Sequence, residues 1–205
     1  MNEPQGSRSL YERRPQYWTQ DLGDRAFEQQ VREQLDTLHW EYGDQTGALH
    51  RPDFVITLPV RGKRLRVALE VKEKRQHYRG RWAELAGTPE TELLVLDELA
   101  ARTLLRHAPR AFLLFWDQTH EEQPYVLFSV LDLYCAPRRR VLRPIHRNSP
   151  RFKAKWLLDR RHGHAFHRLR DVFAYIATYL VRDLDKDLQR LEAYGDFEGE
   201  EVAEV

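Results

Sequence analysis

The chain has 205 residues and a mass of 24.5 kDa, the size of one domain, with or without an appendage, at roughly 100–200 residues per domain. Hydrophobic residues make up 41% and charged residues 32%, with a formal net charge of +1. This describes a globular protein with a heavily charged surface, and it argues against a uniformly basic nucleic-acid coat or a polybasic membrane anchor. The single cysteine, Cys135, excludes an intrachain disulfide and a cysteine-based zinc centre. No apolar run approaches the ~18 residues of a membrane helix, and the N-terminus lacks the apolar stretch of a signal peptide, so the expected compartment is the cytoplasm.

Residues 1–20 are polar and expected to lie loosely over the surface. From Asp21 to Leu38 the spacing of Phe27, Val31, Leu35 and Leu38 predicts a helix, with Asp21 or Asp24 as its cap. Two alternating runs follow. Phe54, Ile56 and Leu58 alternate with polar or small neighbours, as do Leu65, Val67, Leu69 and Val71, and the segment between them contains Arg61-Gly62. This is a hairpin signal. Residues 92–107 have helical spacing up to Pro109, and Ala111–Trp116 and Tyr125–Leu133 read as strands around a polar loop. Arg138–Arg147 reads as a strand or an exposed basic arm. Phe166–Tyr194 reads as one long helix packing on the core, and Asp196–Val205 as a disordered acidic tail. The expected architecture is one mixed α/β sheet with helices packed on it.

The near-neutral total hides blocks of charge. Residues 61–81 hold nine basic and two acidic side chains, net +7, and residues 138–170 are net +11 with four histidines. The remaining segments are acidic, down to net −7 for residues 183–205. The densest basic cluster, Arg138, Arg139, Arg140, Arg143, Arg147, Arg151, Lys153 and Lys155, is a candidate grip for phosphates.

The hairpin carries the chemistry. With Arg61-Gly62 as the central turn residues, Phe54 faces Leu69, Ile56 faces Val67 and Leu58 faces Leu65. Asp53 then stands opposite Glu70. A shift by two would keep the faces and place Asp53 opposite Lys72. In either register Glu70 and Lys72 share one face with Asp53. Two adjacent carboxylates repel unless a positive charge lies between them. Lys72 supplies part of it, and a hard divalent cation such as Mg²⁺ or Mn²⁺ suits the oxygen ligands. Such a site can activate water and stabilise the charge developing on a phosphodiester.

Arg51-Pro52-Asp53 followed, after sixteen intervening residues, by Glu70-Val71-Lys72 resembles the signature of the PD-(D/E)XK, or restriction-endonuclease-like, nuclease superfamily. The resemblance spans residues 21–116. It implies an α-β-β-β-α-β core with a mixed central sheet flanked by helices, to which this chain adds a C-terminal helical extension. It also implies metal binding by Asp53, Glu70 and the Val71 carbonyl, water activation near Lys72, and an acidic residue on the first helix. Glu28, in the phrase Gly23-Asp24-Arg25-Ala26-Phe27-Glu28, resembles that residue better than Glu33 does. Lys74 lies on the same strand face as Lys72 and is its alternative. The Gln-x-x-x-Tyr motif of RecB-type members has no counterpart here.

The expected organisation is a polar segment over 1–20, a nuclease-like core over 21–135, a basic segment and long helix over 136–194, and an acidic tail over 195–205. The expected function is metal-dependent endonucleolytic hydrolysis of DNA, with RNA also compatible. Double-strand cleavage by one centre per chain is compatible with a homodimer or a partner protein. The competing expectation is a non-catalytic nucleic-acid-binding subunit that keeps the fold. The histidines at 162, 164 and 167 read as a basic surface loop rather than a zinc site. Cys135, Trp116 and Asp117 read as core residues, and His77 and Tyr78 as substrate contacts or a strand cap.

Overall fold

A computed structural model describes residues 27–48, 50–78, 81–144, 150–194 and 202–204. Residues 1–20, the helix caps at Asp21 and Asp24, and Arg147 lie outside them. Helix α1, Phe27–Thr37, buries Phe27, Val31 and Leu35 along one face, as its 3.6-residue period requires. Strands β1 (Glu41–Asp44), β2 (Phe54–Val60) and β3 (Lys63–Lys74) form an antiparallel meander. The chain then passes through α2 (Arg81–Ala86), β4 (Leu93–Asp97) and α3 (Glu98–Leu105) to β5 (Ala111–Asp117), which runs parallel to β3. A parallel neighbour needs such a crossover. Strands β6 (Tyr125–Ser129) and β9 (His164–Phe166) complete a six-stranded mixed sheet of order β1-β2-β3-β5-β6-β9. Helix, three strands, crossover helix and strand give the α-β-β-β-α-β order implied by the resemblance.

The turn of the β2–β3 hairpin fixes its register. Arg61 (φ 49°) and Gly62 (φ 76°) both occupy the left-handed region that a two-residue turn requires. The Arg61 guanidinium donates to the Val181 carbonyl at 2.6 Å, tying this turn to the C-terminal helices. Phe54 pairs with Leu69, Ile56 with Val67 and Leu58 with Leu65, which is the register centred on Arg61-Gly62 and not the two-residue shift that alternation also allows.

Four expectations are corrected. Residues 92–107 are not one helix, because Leu93–Asp97 forms β4. Its Leu-Leu-Val-Leu run is buried on both faces, where periodicity does not separate strand from helix. The strand after the polar loop stops at Ser129. There a capping box with Asp132 starts α4, Val130–Cys135. The C-terminal helix divides at Asp183 into α5 (Leu169–Arg182) and α6 (Leu184–Tyr194). Finally, there are two sheets. β7 (Arg138–Pro144) and β8 (Phe152–Asp159) pair with each other and with β4 in a second sheet of order β10-β7-β8-β4. Its β10, Val202–Glu204, is parallel to β7, so this part of the acidic tail is a strand.

Two smaller readings change as well. Cys135 is exposed, because α4 buries Val130, Leu131 and Leu133 instead. The histidine segment is a short helical turn leading into β9, where the Tyr175 hydroxyl is 2.9 Å from His164 Nε2. Among the described residues no helix is long and apolar enough to cross a membrane.

Helices α1 and α5 cover one face of the first sheet. Phe173 of α5 meets Trp40 edge-on at 5.7 Å, and Tyr179 meets Phe112 at 5.6 Å. On the other face the second sheet and α3 close the core through Leu94, Leu96, Ala101, Leu104 and Trp156.

A buried ionic clamp ties β3 to β5, and to the segment that leads into β4, at the end of β3. The Lys74 and Asp117 side chains are both fully buried, with Lys74 Nζ donating to Asp117 Oδ2 at 3.0 Å and to the Thr91 carbonyl at 2.8 Å. Asp117 Oδ1 accepts from the Thr119 amide and hydroxyl, and Arg160 Nε lies 3.9 Å from Oδ2. Removing one member of a buried pair strands the other charge at a cost of about 3–5 kcal/mol. Asp117→Ala is therefore expected to lower the unfolding free energy in urea by about that amount, and Lys74→Met combined with Asp117→Leu to recover much of it. A loss below ~1 kcal/mol for Asp117→Ala would contradict the clamp.

Candidate active site

Asp53 precedes β2 and follows the buried Pro52. Its Oδ2 accepts the Val71 amide at 2.9 Å, which locks the carboxylate to the neighbouring strand. Glu70 projects from β3 on the same face, with a side chain 8% exposed. Lys72, two residues on, brings its ammonium to 2.6 Å from Glu70 Oε1, 2.9 Å from the Val71 carbonyl and 3.5 Å from Asp53 Oδ2. Three hard oxygens from adjacent strands thus converge on one cation.

Charge and burial oppose each other here. Burial pushes the Glu70 carboxyl above its ordinary value and Asp53 adds to the push, with Lys72 offsetting only part. Burial alone would lower the Lys72 ammonium, but Glu70 and Asp53 hold it above the usual lysine value, with Glu28 contributing at longer range. Glu28 lies in the first turn of the described helix, half-buried. That turn is fastened to the motif strand, because the Phe27 amide donates to Glu73 Oε1 at 2.6 Å. Glu33 is exposed and accepts from Gln29 on its own helix.

Asp53, Glu70, Val71 and Lys72 therefore come together, with Glu28 in electrostatic reach. Lys74 is committed to the clamp. Among the described residues no three His, Cys, Asp or Glu side chains gather as a metal cage. His77 is exposed, and Tyr78 packs against Trp82 with ring centroids 6.0 Å apart.

The basic cluster lies on β7, β8 and the residues beside them, and much of it has internal partners. Arg140 pairs with Glu98 at 2.9 Å, and Lys153 (2.8 Å) and Lys155 both pair with Asp97. Arg138 lies 4.3 Å over the Trp156 ring, and Arg143 5.9 Å from the ring of Trp82. Arg139, Arg143 and Arg151 are exposed. The sequence reading missed Glu73 and the ionic role of Asp117. A third charged residue after Glu70 and Lys72 was the visible signal for Glu73. Asp117 ends an apolar strand, and nothing near it in sequence indicates Lys74.

No family model and no curated protein matches the sequence. Among solved structures, Hjc of Archaeoglobus fulgidus, a Holliday junction resolvase from an archaeal hyperthermophile, is similar at 14% identity and a TM-score of 0.36, over 69% of this chain and 97% of that one. D212, a nuclease from a fusselovirus, is similar at 8% identity and a TM-score of 0.37, over 74% of this chain and 87% of that one.

The raised Glu70 carboxyl has a consequence for stability. A carboxyl with a higher pKa when folded contributes stability below its unfolded pKa and loses it as pH rises through the folded value. At neutral pH, without divalent cations, Glu70→Gln is expected to raise the melting temperature, with 1 kcal/mol worth about 2–4 °C at this chain length. The advantage should shrink as pH falls into the carboxylate range, where Glu70 is already neutral. A Glu70→Gln variant melting at or below wild type at neutral pH contradicts this assignment.

Proposed function

We propose that the chain is a metal-dependent endonuclease that hydrolyses phosphodiester bonds of DNA. The supporting observation is the convergence of the Asp53, Glu70 and Val71 oxygens on the Lys72 ammonium. These oxygens already surround one positive charge, and their hardness suits Mg²⁺ or Mn²⁺. Asp53, Glu70 and the Val71 carbonyl would hold the ion. When bound, such an ion lowers the pKa of water and offsets negative charge on phosphate.

The protein groups do the rest. The Val71 amide fixes one oxygen of Asp53, so this carboxylate needs little reorganisation when substrate arrives. Glu70 is nearly buried, which strengthens its electrostatic effect on whatever is bound beside it. Lys72 is 32% exposed on a flexible stem, so its ammonium can turn from the carboxylates to an attacking water or a phosphate oxygen. Glu28 adds negative charge on the helix side and helps keep Lys72 protonated. In the reaction the water oxygen bonds to phosphorus as one ester bond breaks, and the departing oxygen takes up a proton.

One observation favours a second reading. Lys72 already pairs with both carboxylates and offsets part of their charge, an arrangement that a non-catalytic nucleic-acid-binding subunit would also keep. Cleavage assays separate the two. With Mg²⁺ or Mn²⁺ the full-length protein is expected to cut single-stranded, duplex or branched DNA, and EDTA to stop it. Asp53→Asn, Glu70→Gln and Lys72→Met should each lower the rate at least about a hundredfold, the usual scale for one charge-stabilising group. Nucleic-acid binding that persists in EDTA, with no hydrolysis under any metal, would favour the binding subunit. Cleavage unchanged in Asp53→Asn and Glu70→Gln would remove the site from the reaction.

A further inference from the structure

The strand face that carries Asp53 and Glu70 continues beyond them toward the hairpin turn. Alternation places Val55, Thr57, Arg66 and Arg64 on this same face. Pairing sets Thr57 beside Arg66 and Pro59 beside Arg64, while β1 adds Gly43 beside Val55 and Glu41 beside Thr57. An open groove of ≈ 560 Å³ runs over this surface, with Tyr42 and Gln45 also on its lining. Gly43 keeps the floor low, since a Cβ there would meet only the Val55 carbonyl, at 4.0 Å. The Gln45 amide donates to the Asp53 carbonyl at 2.8 Å, so one end of the groove lining is bonded to the residue that begins the candidate site.

Arg140, Lys153 and Lys155 of the second sheet are ion-paired with Glu98 and Asp97, whereas the groove holds a cation that is not. Arg66 is exposed and has no ion-pair or hydrogen-bond partner among the described residues. Arg64 pairs with Glu41, but both side chains are about two-thirds exposed (69% and 65%). Such a surface pair contributes little and exchanges readily for a stronger anion. At ~3.3 Å per residue, Arg66 lies about 13 Å along the strand from Glu70, and Arg64 about 7 Å further. That second step is comparable with the distance between neighbouring phosphates of an extended strand. Two guanidinium groups one strand repeat apart on a low, open floor, in line with Asp53 and Glu70, match two successive phosphates of a nucleic-acid backbone.

We propose that this groove binds the sugar–phosphate backbone of the strand being cut, on one side of the scissile phosphate, with Arg66 and Arg64 each holding one phosphate. The proposal rests on the nuclease reading only in that Asp53 and Glu70 mark where the scissile phosphate lies. The contacts go to backbone phosphates, so the grip is independent of base sequence.

The test is fluorescence anisotropy of a labelled single-stranded DNA oligonucleotide with the full-length protein in EDTA, over a salt series. Arg66→Glu and Arg64→Glu are each expected to weaken binding about tenfold or more, the scale of one charge-assisted hydrogen bond. Each should reduce the slope of log affinity against log salt by roughly 0.7, the single-strand value per phosphate. Arg66→Gln should give a smaller loss. Gly43→Leu should weaken binding without a change of charge by filling the floor, and Arg170→Gln on α5 should bind as wild type. Melting temperatures confirm that each variant is folded. Wild-type affinity and salt slope in Arg64→Glu/Arg66→Glu, or no DNA binding by the wild type, overturns the proposal. Parallel cleavage assays keep it distinct from the nuclease reading. Binding that depends on Arg66 without any cleavage supports the groove and sinks the nuclease, whereas cleavage indifferent to both arginines does the reverse.

Discussion

Two residues of positive φ, Arg61 and Gly62, set the geometry on which the rest of the candidate site depends. A two-residue turn fixes register, and in a strand a slip of one residue sends every side chain to the opposite face. With the turn as it is, Val60 pairs with Lys63, and the pairing runs on to Phe54 with Leu69. One step further Asp53 meets the strand at Glu70, its Oδ2 held by the next amide, that of Val71. Arg61 is an unusual residue at a left-handed position, and its bond to the Val181 carbonyl helps hold it there. The same turn places Arg64 and Arg66 on the face of the carboxylates. The site and the groove are therefore two stretches of one surface.

The net charge of +1 takes its meaning from where the charges reside. In the most basic segment, Arg140, Lys153 and Lys155 of the second sheet pair with Glu98 and Asp97, at the junction of β4 and α3. Both acids are held below their ordinary pKa, despite burial, by Lys153, Lys155, Arg140 and Arg102. Those cations therefore serve the packing of the second sheet. The hairpin segment is shorter and less basic in total, yet it contains an exposed arginine, Arg66, without an ion-pair or hydrogen-bond partner among the described residues, and it carries Glu70 itself. Total charge per segment is a poorer guide to a binding surface than the count of charges left unpaired.

Local features were the ones legible in the sequence. The hairpin and the shared face of Asp53, Glu70 and Lys72 follow from alternation across a turn, which needs only some twenty contiguous residues, whereas alternation left two registers and the turn at Arg61-Gly62 selects one. The strand Leu93–Asp97 was hidden because both its faces are buried, so its apolar run has no period to read. The second sheet was hidden for a related reason, since its core partner β8 lies more than fifty residues downstream of β4. Asp117 shows the limit most clearly. In sequence it ends an apolar strand, and only the parallel register of β3 on β5 sets it beside Lys74.

That register gives two lysines of one strand face different fates. Lys74 faces Asp117 across a parallel pairing, is sealed by Thr91 and Arg160, and has a side chain with no exposure. Burial lowers its pKa, and Asp117 is what keeps the charge tolerable. Lys72 lies one pleat back, where the sheet opens toward solvent, and shares its charge between two carboxylates while remaining a third exposed. A fully buried ion pair anchors the end of β3, and the ammonium beside it is partly open to solvent. If both lysines were buried, the carboxylates would have a permanent counter-ion and no reason to accept another cation. If both were free, the strand end that holds Glu70 opposite Asp53 would lose its tie to β5 and to the segment that leads into β4. The division of labour between residues 72 and 74 thus keeps Asp53 and Glu70 side by side around one ammonium while the other ties the strand end to β5.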